Sequence, residues 1–403
     1  MNEKHRNIAF LSTYPPRECG LATFTQDLLS HMSKIQMTGQ SKVIAISNDR
    51  FRYDDKVIME LTQNDRSSYS RTASRLHHSD IALLVIEHEF GIYGGEWGEF
   101  ILDLVHGLQI PFVTTLHTLL PEPNEKQRHI INVLGQKGEK IITMAKNSVE
   151  LLIDVYGIAA SKIAVINHGV PYMPMESRQK LKEGLGLKNR SIISTFGLLG
   201  PGKGLEYGVE AIAKAAKRHK DVLYFILGQT HPTIKKESGE EYRSTLEKLV
   251  EKLGIKDNVR FVNKYLTQEE IIRYLNLSDI YLTPYLDKDQ AVSGTLAYAA
   301  GYGRVIVSTP YSYAKEMLAD GRGLLARFRD SESIADCIEY VLDHVEEKEQ
   351  MERKMLELGK TMTWEYVAQQ YKELFCEVLK QYKTSAVTGK VLSVVNGNIA
   401  AVI

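Results

Sequence analysis

Two series of short apolar segments, separated by stretches with helical spacing, constrain the fold of this 403-residue chain more than any other feature. Strands covered on both faces of a parallel sheet have this near-continuous apolar character. The first series comprises residues 8–11, 43–46, 81–86, 112–116, 141–145 and 164–167, and the second comprises residues 192–196, 222–227, 259–262, 280–284 and 305–308. Alternation of strands and helices gives right-handed βαβ units, so we predict an α/β protein with two Rossmann-like, doubly wound domains.

The segment between the two series marks the predicted domain boundary. It contains Pro171 and Pro174, followed by a charged stretch with helical spacing at residues 176–185. We place the first domain at residues 1–172 and the second at residues 173–362. A long helix is predicted at residues 363–383, and residues 384–403, small and rich in β-formers, are predicted to form a weakly attached tail.

Charge and cysteine content exclude several classes of protein. Lysine plus arginine and aspartate plus glutamate both number 50, so no basic excess points to a nucleic-acid partner. The three cysteines, Cys19, Cys337 and Cys376, are far apart in the sequence, as is typical of a reducing compartment. Because no apolar stretch reaches the length of a membrane span or signal peptide, we predict a cytoplasmic protein with no integral membrane segment.

Candidate ligand-binding residues in the first domain follow its predicted strands. Ligands of open α/β sheets bind beyond the carboxyl ends of the strands. Gly20 lies in the loop after the first strand, His117 directly follows the strand 112–116, and the cluster Glu87-His88-Glu89 ends the strand 81–86. A histidine here could act as a base or bind a sugar hydroxyl, although a tight turn, a solvated strand end and a structural histidine are the simpler alternatives. No metal is predicted, because no partner histidine lies at helical spacing.

The second domain opens with a glycine-rich loop. The strand 192–196 runs into residues 197–204, with Gly200, Gly202 and Lys203, and a helix follows. Exposed backbone N–H groups, the positive end of the helix dipole and the lysine charge together favour binding of a diphosphate. The spacing is not that of a Walker loop. The alternative is an ordinary strand–helix loop with a solvated lysine.

A second helix start is predicted at Ser293, Gly294 and Thr295. Ser293 is suited to cap the helix and Gly294 permits close approach of a ligand. The alternative is a capped helix without a ligand. Two helix starts that favour anions in one domain would suit a donor with two phosphates.

Taken in order, these residues resemble the family 4 retaining glycosyltransferases of the group 1 type, which have the GT-B fold. The resemblance extends from about residue 7 to about residue 382. It is carried by the Pro-Pro-x-x-x-Gly loop at residues 15–20, His117, Asn167-His168-Gly169-Val170, residues 196–204, Gly301-Tyr302-Gly303 with the strand 305–308, and the helix 364–382.

The resemblance implies two domains that face each other across a cleft, with the last helix returning to the first domain. It implies transfer of a hexose from a nucleotide-diphosphate sugar to a carbohydrate or other hydroxyl acceptor, with retention of the anomeric configuration and without a metal or further cofactor. The donor would bind the second domain. The acceptor would bind the first domain near Gly20, Glu89 and His117.

Three positions depart from the family pattern. Gln290 and Tyr298 stand where the family usually has two glutamates that contact the donor sugar and the ribose, and Leu198 stands where it usually has an arginine that contacts the diphosphate. Gln290 can still hydrogen-bond a sugar hydroxyl. Tyr298 could stack on the base or hydrogen-bond the ribose.

Two further residues are candidates to complete the donor site. Arg243 would replace the charge of the missing arginine, and Glu316 matches a carboxylate that family members often place near the donor. The predicted catalytic residues are His117, Lys203 and Gln290. The predicted donor-binding residues are Gly200, Gly202, Lys203, Arg243, Ser293, Gly294, Thr295, Tyr298 and Glu316.

Two other functions fit the same predicted fold. A sugar phosphorylase or a nucleotide-sugar epimerase could use two Rossmann-like domains. A non-catalytic partner or regulatory protein is favoured by the loss of both glutamates at positions 290 and 298.

Overall fold

The computed structural model describes residues 7–35 and 39–399. The chain divides into two compact units at Gly169/Val170 and at Thr363/Trp364, so that the segment beginning at Trp364 belongs to the first unit. The first division lies close to the predicted boundary at 172/173, and the second lies next to the predicted boundary at 362/363.

The first unit is built on a parallel sheet of seven strands in the order β3-β2-β1-β4-β5-β6-β7. The strands are β1 (Asn7–Ser12), β2 (Ser41–Ser47), β3 (Val57–Thr62), β4 (Ile81–His88), β5 (Phe112–Leu116), β6 (Lys140–Thr143) and β7 (Ile163–Val165). The helices are α1 (Gly20–Met32), α2 (Arg66–His77), α3 (Ile101–Gly107), α4 (Glu125–Lys137) and α5 (Ser148–Asp154), and α15 (Trp364–Ile399) packs against α1 and β4. The strand order reverses between β1 and β4, and ligands of such sheets bind at this reversal.

The second unit is built on a parallel sheet of six strands in the order β10-β9-β8-β11-β12-β13. The strands are β8 (Ser191–Phe196), β9 (Val222–Leu227), β10 (Val259–Val262), β11 (Ile280–Thr283), β12 (Val305–Ser308) and β13 (Leu324–Leu325). The helices are α6 (Arg178–Gly184), α7 (Leu205–Ala215), α8 (Pro232–Ser238), α9 (Glu241–Leu253), α10 (Gln268–Leu277), α11 (Gly294–Gly301), α12 (Ser312–Met317), α13 (Ser331–Asp343) and α14 (Val345–Gly359). Here the order reverses between β8 and β11.

The apolar runs predicted as strands form the cores of both sheets. All eleven predicted strands are present, and residues such as Phe10, Val85 and Leu282 are fully buried. The predicted apolar face of α9 is confirmed at Leu246 and Val250, which are buried, and the helix ends at Gly254 in the left-handed conformation (φ 70°) that glycine adopts without a steric cost.

Two strands and one helix end differ from the prediction. β3 was missed because its residues alternate between partly buried and exposed at the edge of the sheet, and β13 was missed because it has two residues. The prediction of a helix at 363–383 followed by a tail at 384–403 is wrong for the described residues, since α15 continues to Ile399. No proline interrupts this segment, and each β-branched residue costs a helix only about 0.5 kcal/mol relative to alanine. Residues 400–403 lie outside the described part of the chain.

A buried carboxylate ties two helices to the second sheet. Asp279, at the start of β11, accepts hydrogen bonds from Lys182 Nζ (2.5 Å) and Lys348 Nζ (2.9 Å), and Arg178 lies at 3.5 Å. Its second oxygen also accepts from the backbone N–H of Ile192 (2.8 Å). Burial alone would raise the pKa of Asp279, but the three cations outweigh it and lower the pKa to about 2. This cluster therefore stabilises the packing of α6 and α14.

No helix in the described part of the chain is long and apolar enough to cross a membrane.

Candidate functional site

The loops after β8 and β11 meet at the strand-order reversal of the second sheet. A Cβ atom on Gly197, the first residue after β8, would lie 3.3 Å from Cγ2 of Thr295 at the start of α11. The backbone of Leu286, in the loop after β11, donates to the carbonyl of Gly202 (3.0 Å). The glycine-rich loop and the second helix start, which the sequence predicted separately, are therefore adjacent.

The glycine-rich loop is held in one conformation by its neighbours. Leu199 N–H donates to the Gln229 carbonyl (2.9 Å), and Gly204 adopts a left-handed conformation (φ 58°) immediately before α7. A Cβ atom on Gly204 would lie 2.3 Å from the Pro284 carbonyl oxygen, so only glycine fits there. The loop thus presents the N-terminus of α7 at a fixed position.

Lys203 connects three elements of this region. Its ammonium lies 3.9 Å from the centre of the Tyr285 ring, a cation–π contact. The Tyr285 hydroxyl in turn hydrogen-bonds the Thr295 hydroxyl (2.8 Å). The side chain of Lys203 is partly exposed, and its contact with Tyr285 places its charge near the start of α11. This is the position at which an anion would be favoured.

The start of α11 has the predicted cap. The Ser293 side chain accepts from the backbone N–H of Leu296 (3.3 Å), and the Ser293 and Thr295 hydroxyls lie 3.2 Å apart. Gln290 precedes this cap, and its amide donates to the carbonyl of Val292 (2.9 Å). Gln290 is therefore oriented by the turn that leads into α11.

Tyr298 does not present an open side chain. It is buried, its ring packs edge-on against Phe196 with 6.1 Å between ring centres, and its hydroxyl accepts from the Gln268 amide (3.2 Å). The ring thus packs against β8 and the hydroxyl pairs with α10, and contact of Tyr298 with the base or the ribose stays a prediction.

Arg243, the predicted phosphate contact, is buried in the second unit. Its guanidinium is buried beneath the loop after β9, where Nη2 donates to the Gly228 carbonyl (2.8 Å) and Nε faces Glu240 (3.4 Å). Arg243 therefore supports the backbone that pairs with the glycine-rich loop. Glu316 lies on α12, which follows β12, and is partly buried.

In the first unit, a histidine–carboxylate pair lies at the carboxyl ends of β4 and β5. His117 Nε2 lies 2.8 Å from Oε2 of Glu87, whose side chain is fully buried. The backbone N–H of His117 donates to the His88 carbonyl (3.0 Å), which joins the ends of the two strands. The carboxylate that pairs with His117 is thus Glu87, and the predicted Glu89 is exposed at the start of a 3₁₀ turn. The sequence pointed to the cluster Glu87-His88-Glu89 but placed the end of the strand at residue 86, whereas β4 continues to His88.

An aromatic ring from α1 packs against His117, and a ring from α15 packs against that one in turn. Phe24 packs edge-on against His117, with 4.8 Å between the ring centres. The centre of the Phe24 ring also lies 5.2 Å from that of His168 and 5.1 Å from that of Trp364. Burial lowers the pKa of His168 to about 4. The side chain of His117 keeps 12% of its surface exposed, so a ligand can reach it.

Two neighbours of His117 complete the description of this region. Burial, and then the charge of His117, lower the pKa of His88 to about 3, so His88 is neutral at physiological pH. Gly20 begins α1, and a side chain added there would meet no atom within 4 Å. The position is open to a ligand, but the backbone does not require glycine. In the described part of the chain, no three histidine, cysteine, aspartate or glutamate side chains form a metal-binding group.

Comparison with known proteins gives a family match within the second unit. Residues 177–357 match the family model described as glycosyl transferases group 1. The chain is 26% identical over 176 residues to the alpha-D-kanosaminyltransferase of Streptomyces kanamyceticus, covering 43% of this chain and 42% of that relative. It is 26% identical over 227 residues to the D-inositol 3-phosphate glycosyltransferase of Corynebacterium urealyticum, covering 55% of this chain and 52% of the relative. The match therefore spans about half the length of these relatives.

Similarity to solved structures extends over both units. A crystal structure of Anabaena HepE in complex with UDP and glucose matches 93% of this chain and 100% of its own, with a TM-score of 0.71 and 15% sequence identity. At 15% identity this likeness shows the fold alone. The fold is GT-B, which consists of two Rossmann-like units. The predicted α/β fold class is thereby confirmed.

Proposed function

Because residues 177–357 match the family model of the group 1 glycosyltransferases, we propose that this chain transfers a hexose from a nucleotide-diphosphate sugar to a hydroxyl of a carbohydrate acceptor, with retention of anomeric configuration. The observation that carries this proposal is the contact chain from Lys203 through Tyr285 to Thr295, which brings one positive charge to two adjacent helix starts. The UDP in the HepE structure supports a nucleoside diphosphate as the donor leaving group.

The donor would bind the second unit through its diphosphate. Backbone N–H groups at the starts of α7 and α11 and the ammonium of Lys203 would hold the phosphate oxygens. When the bond between the sugar and the diphosphate breaks, negative charge increases on the leaving oxygen, and donors already fixed in place stabilise it without reorganisation. These groups supply the positive charge for which other transferases use a metal ion, so we propose a metal-independent reaction.

The acceptor would bind the first unit at His117. In the neutral tautomer that carries its proton on Nε2, His117 donates a hydrogen bond to the Glu87 carboxylate, and Nδ1 can accept a hydrogen bond. A hydroxyl of the acceptor that donates to Nδ1 would be oriented by a ring that Phe24 and Glu87 hold in place. We therefore propose His117 as a catalytic residue and Glu87 as the residue that positions it. The three cysteines are free thiols, which supports the predicted cytoplasmic location.

A non-catalytic partner or regulatory protein is the second candidate. It is favoured by Tyr298 and Gln290, both of which are engaged within the protein, by Gln268 and by the Val292 carbonyl respectively. Such a protein could keep the fold and bind a nucleotide without transferring a sugar.

Nucleotide release distinguishes these two functions. The purified protein is incubated with UDP-, GDP- and ADP-hexoses, each with and without simple sugar acceptors. Release from one donor that increases when an acceptor is added supports the transferase and identifies the base and the sugar. If a folded protein releases nucleotide from none of the donors, the non-catalytic function is favoured and the transferase proposal fails.

A further inference from the structure

An exposed tryptophan lies in the loop between β4 and α3. Trp97 keeps 46% of its surface exposed, whereas Trp364, the other tryptophan of the chain, is fully buried. Trp97 also has a left-handed backbone conformation (φ 57°, ψ 24°). Such a conformation is unfavourable for a residue with a large side chain, and residues that adopt it are concentrated at functional sites.

The glycines on either side of Trp97 fix the position of this loop. Gly95 (φ 83°) and Gly98 (φ 81°) both have conformations that favour glycine. A Cβ atom on Gly95 would lie 2.7 Å from the Phe100 ring, and one on Gly98 would lie 2.6 Å from the Phe90 carbonyl oxygen. The backbone is therefore packed tightly beneath Trp97 while the indole faces solvent.

Hydrogen bonds anchor the same loop to the body of the first unit. Gly94 N–H donates to the Tyr69 hydroxyl (2.8 Å), which donates to the Gln63 carbonyl (2.9 Å). Phe100 N–H donates to the Gly94 carbonyl (3.1 Å). An anchored loop holds the indole in place before any ligand arrives, which lowers the entropic cost of binding.

Charged side chains flank the tryptophan and link it to the neighbouring loop. Lys126, on α4, donates to Glu96 (2.6 Å) and contacts Glu99 (2.8 Å). These contacts link the loop after β4 to the first turn of α4, the helix that follows the connection in which His117 is the first residue. Trp97 and His117 therefore lie on connections at the same carboxyl edge of the sheet.

We propose that Trp97 is a stacking platform for a pyranose ring of the acceptor. One face of a pyranose presents C–H groups, which pack on the negative face of an indole, while its hydroxyls hydrogen-bond polar groups at the edge. Glu96, Glu99 and Lys126 supply such polar groups beside Trp97. This inference deepens the proposed function, on which its catalytic consequence rests. It assigns the acceptor to the oligosaccharides, with one sugar at His117 and a further sugar on Trp97.

Tryptophan fluorescence tests the binding without relying on catalysis. Cellotriose, maltotriose and mannotriose are titrated into the wild-type protein and into Trp97→Phe, in which Trp364 is the remaining tryptophan. We expect at least one trisaccharide to shift the wild-type emission and to protect it from iodide quenching, with no such protection in Trp97→Phe, whose Trp364 is fully buried. Absence of any change in emission across the three sugars overturns the proposal. An emission change that follows the protein concentration and not the sugar concentration also overturns it, because that would indicate contact between copies of the chain.

Kinetics then connect the platform to transfer. Trp97→Ala is expected to raise the KM for the oligosaccharide acceptor about tenfold, as loss of an aromatic contact of about 1.4 kcal/mol implies, with kcat and the KM for the donor unchanged. Trp97→Phe should recover part of the loss, and Tyr340→Ala, which removes an exposed aromatic ring from α13, should have no effect. An unchanged acceptor KM in Trp97→Ala refutes the platform even when the enzyme is active. Saccharide binding without nucleotide release would instead refute the proposed transfer and leave the platform intact.

Discussion

Replacement of Lys203 by alanine gives the sharpest test of the donor site. The ammonium lies 3.9 Å from the centre of the Tyr285 ring and is partly exposed, so a phosphate beside it would be only partly shielded by solvent. Two unit charges 4 Å apart interact by about 1 kcal/mol in water and about 4 kcal/mol at the effective dielectric constant near a protein surface. Only the part of this interaction that grows as charge develops on the leaving phosphate accelerates the reaction.

We expect Lys203→Ala to lower turnover at least about tenfold, which corresponds to about 1.4 kcal/mol of activation free energy. The assay is steady-state nucleotide release with donor and acceptor varied in turn. Lys252→Ala, which removes one positive charge from the exposed end of α9, serves as the matched control and should retain full activity. Tyr285→Phe keeps the ring beneath the ammonium but removes the hydroxyl bonded to Thr295, and should cost less than Lys203→Ala.

The result that refutes this reasoning is a folded Lys203→Ala protein with a turnover close to that of Lys252→Ala. Such a result would mean that the glycine-rich loop holds no anion in the reaction. The contact of Lys203 with Tyr285 would then be a structural feature of the loop.

Three further predictions concern the histidine pair, the buried aspartate and Tyr298. Glu87 positions His117, so Glu87→Gln should lower the rate of transfer to the acceptor about tenfold, while the slow hydrolysis of the donor without acceptor stays constant. An equal loss of both rates would show that Glu87 supports only the fold. Asp279→Asn should lower the free energy of unfolding by about 3 kcal/mol in a urea titration, since it leaves three partly buried cations without their carboxylate. An unchanged midpoint would contradict the role of the cluster. Because the pKa of Asp279 is lowered from 3.8 to about 2, its carboxylate should contribute stability above pH 3.8 that is lost as the pH falls towards 2, an acid transition that Asp279→Asn should weaken. Tyr298→Phe should cost about 1 kcal/mol of stability through the lost bond to Gln268, with the KM for the donor unchanged; a raised KM would place the hydroxyl against the donor.

The strands and the glycine-rich loop could be predicted from the sequence because their signals are local. An apolar run such as residues 222–227 is long enough to identify a buried strand, and the prediction holds to the residue at β9. Ser293 was predicted as a helix cap from its type and position, and it accepts the expected backbone hydrogen bond. β3 gave no such signal, because an edge strand that is half exposed lacks a continuous apolar run.

The direction of individual side chains could not be predicted from the sequence. Arg243 and Tyr298 follow strands at the correct edge of the sheet, but both turn inward, Arg243 to the Gly228 carbonyl and Tyr298 to Gln268. The sequence reports which residues follow a strand, whereas inward or outward orientation depends on contacts between segments far apart in the chain. The pairing of His117 with Glu87, thirty positions earlier, depends on the same long-range packing.

Transfer with retention is tested most directly by proton NMR of the reaction mixture. Nucleotide donor, acceptor and enzyme are followed in one tube, and the coupling constant of the anomeric proton is read in the donor and in the product. The account predicts that an α-linked donor signal disappears while an α-linked glycosidic signal of the product appears at the same rate. A β-linked product would contradict retention, and a donor signal that persists in the presence of folded protein and acceptors would contradict the proposed transfer itself.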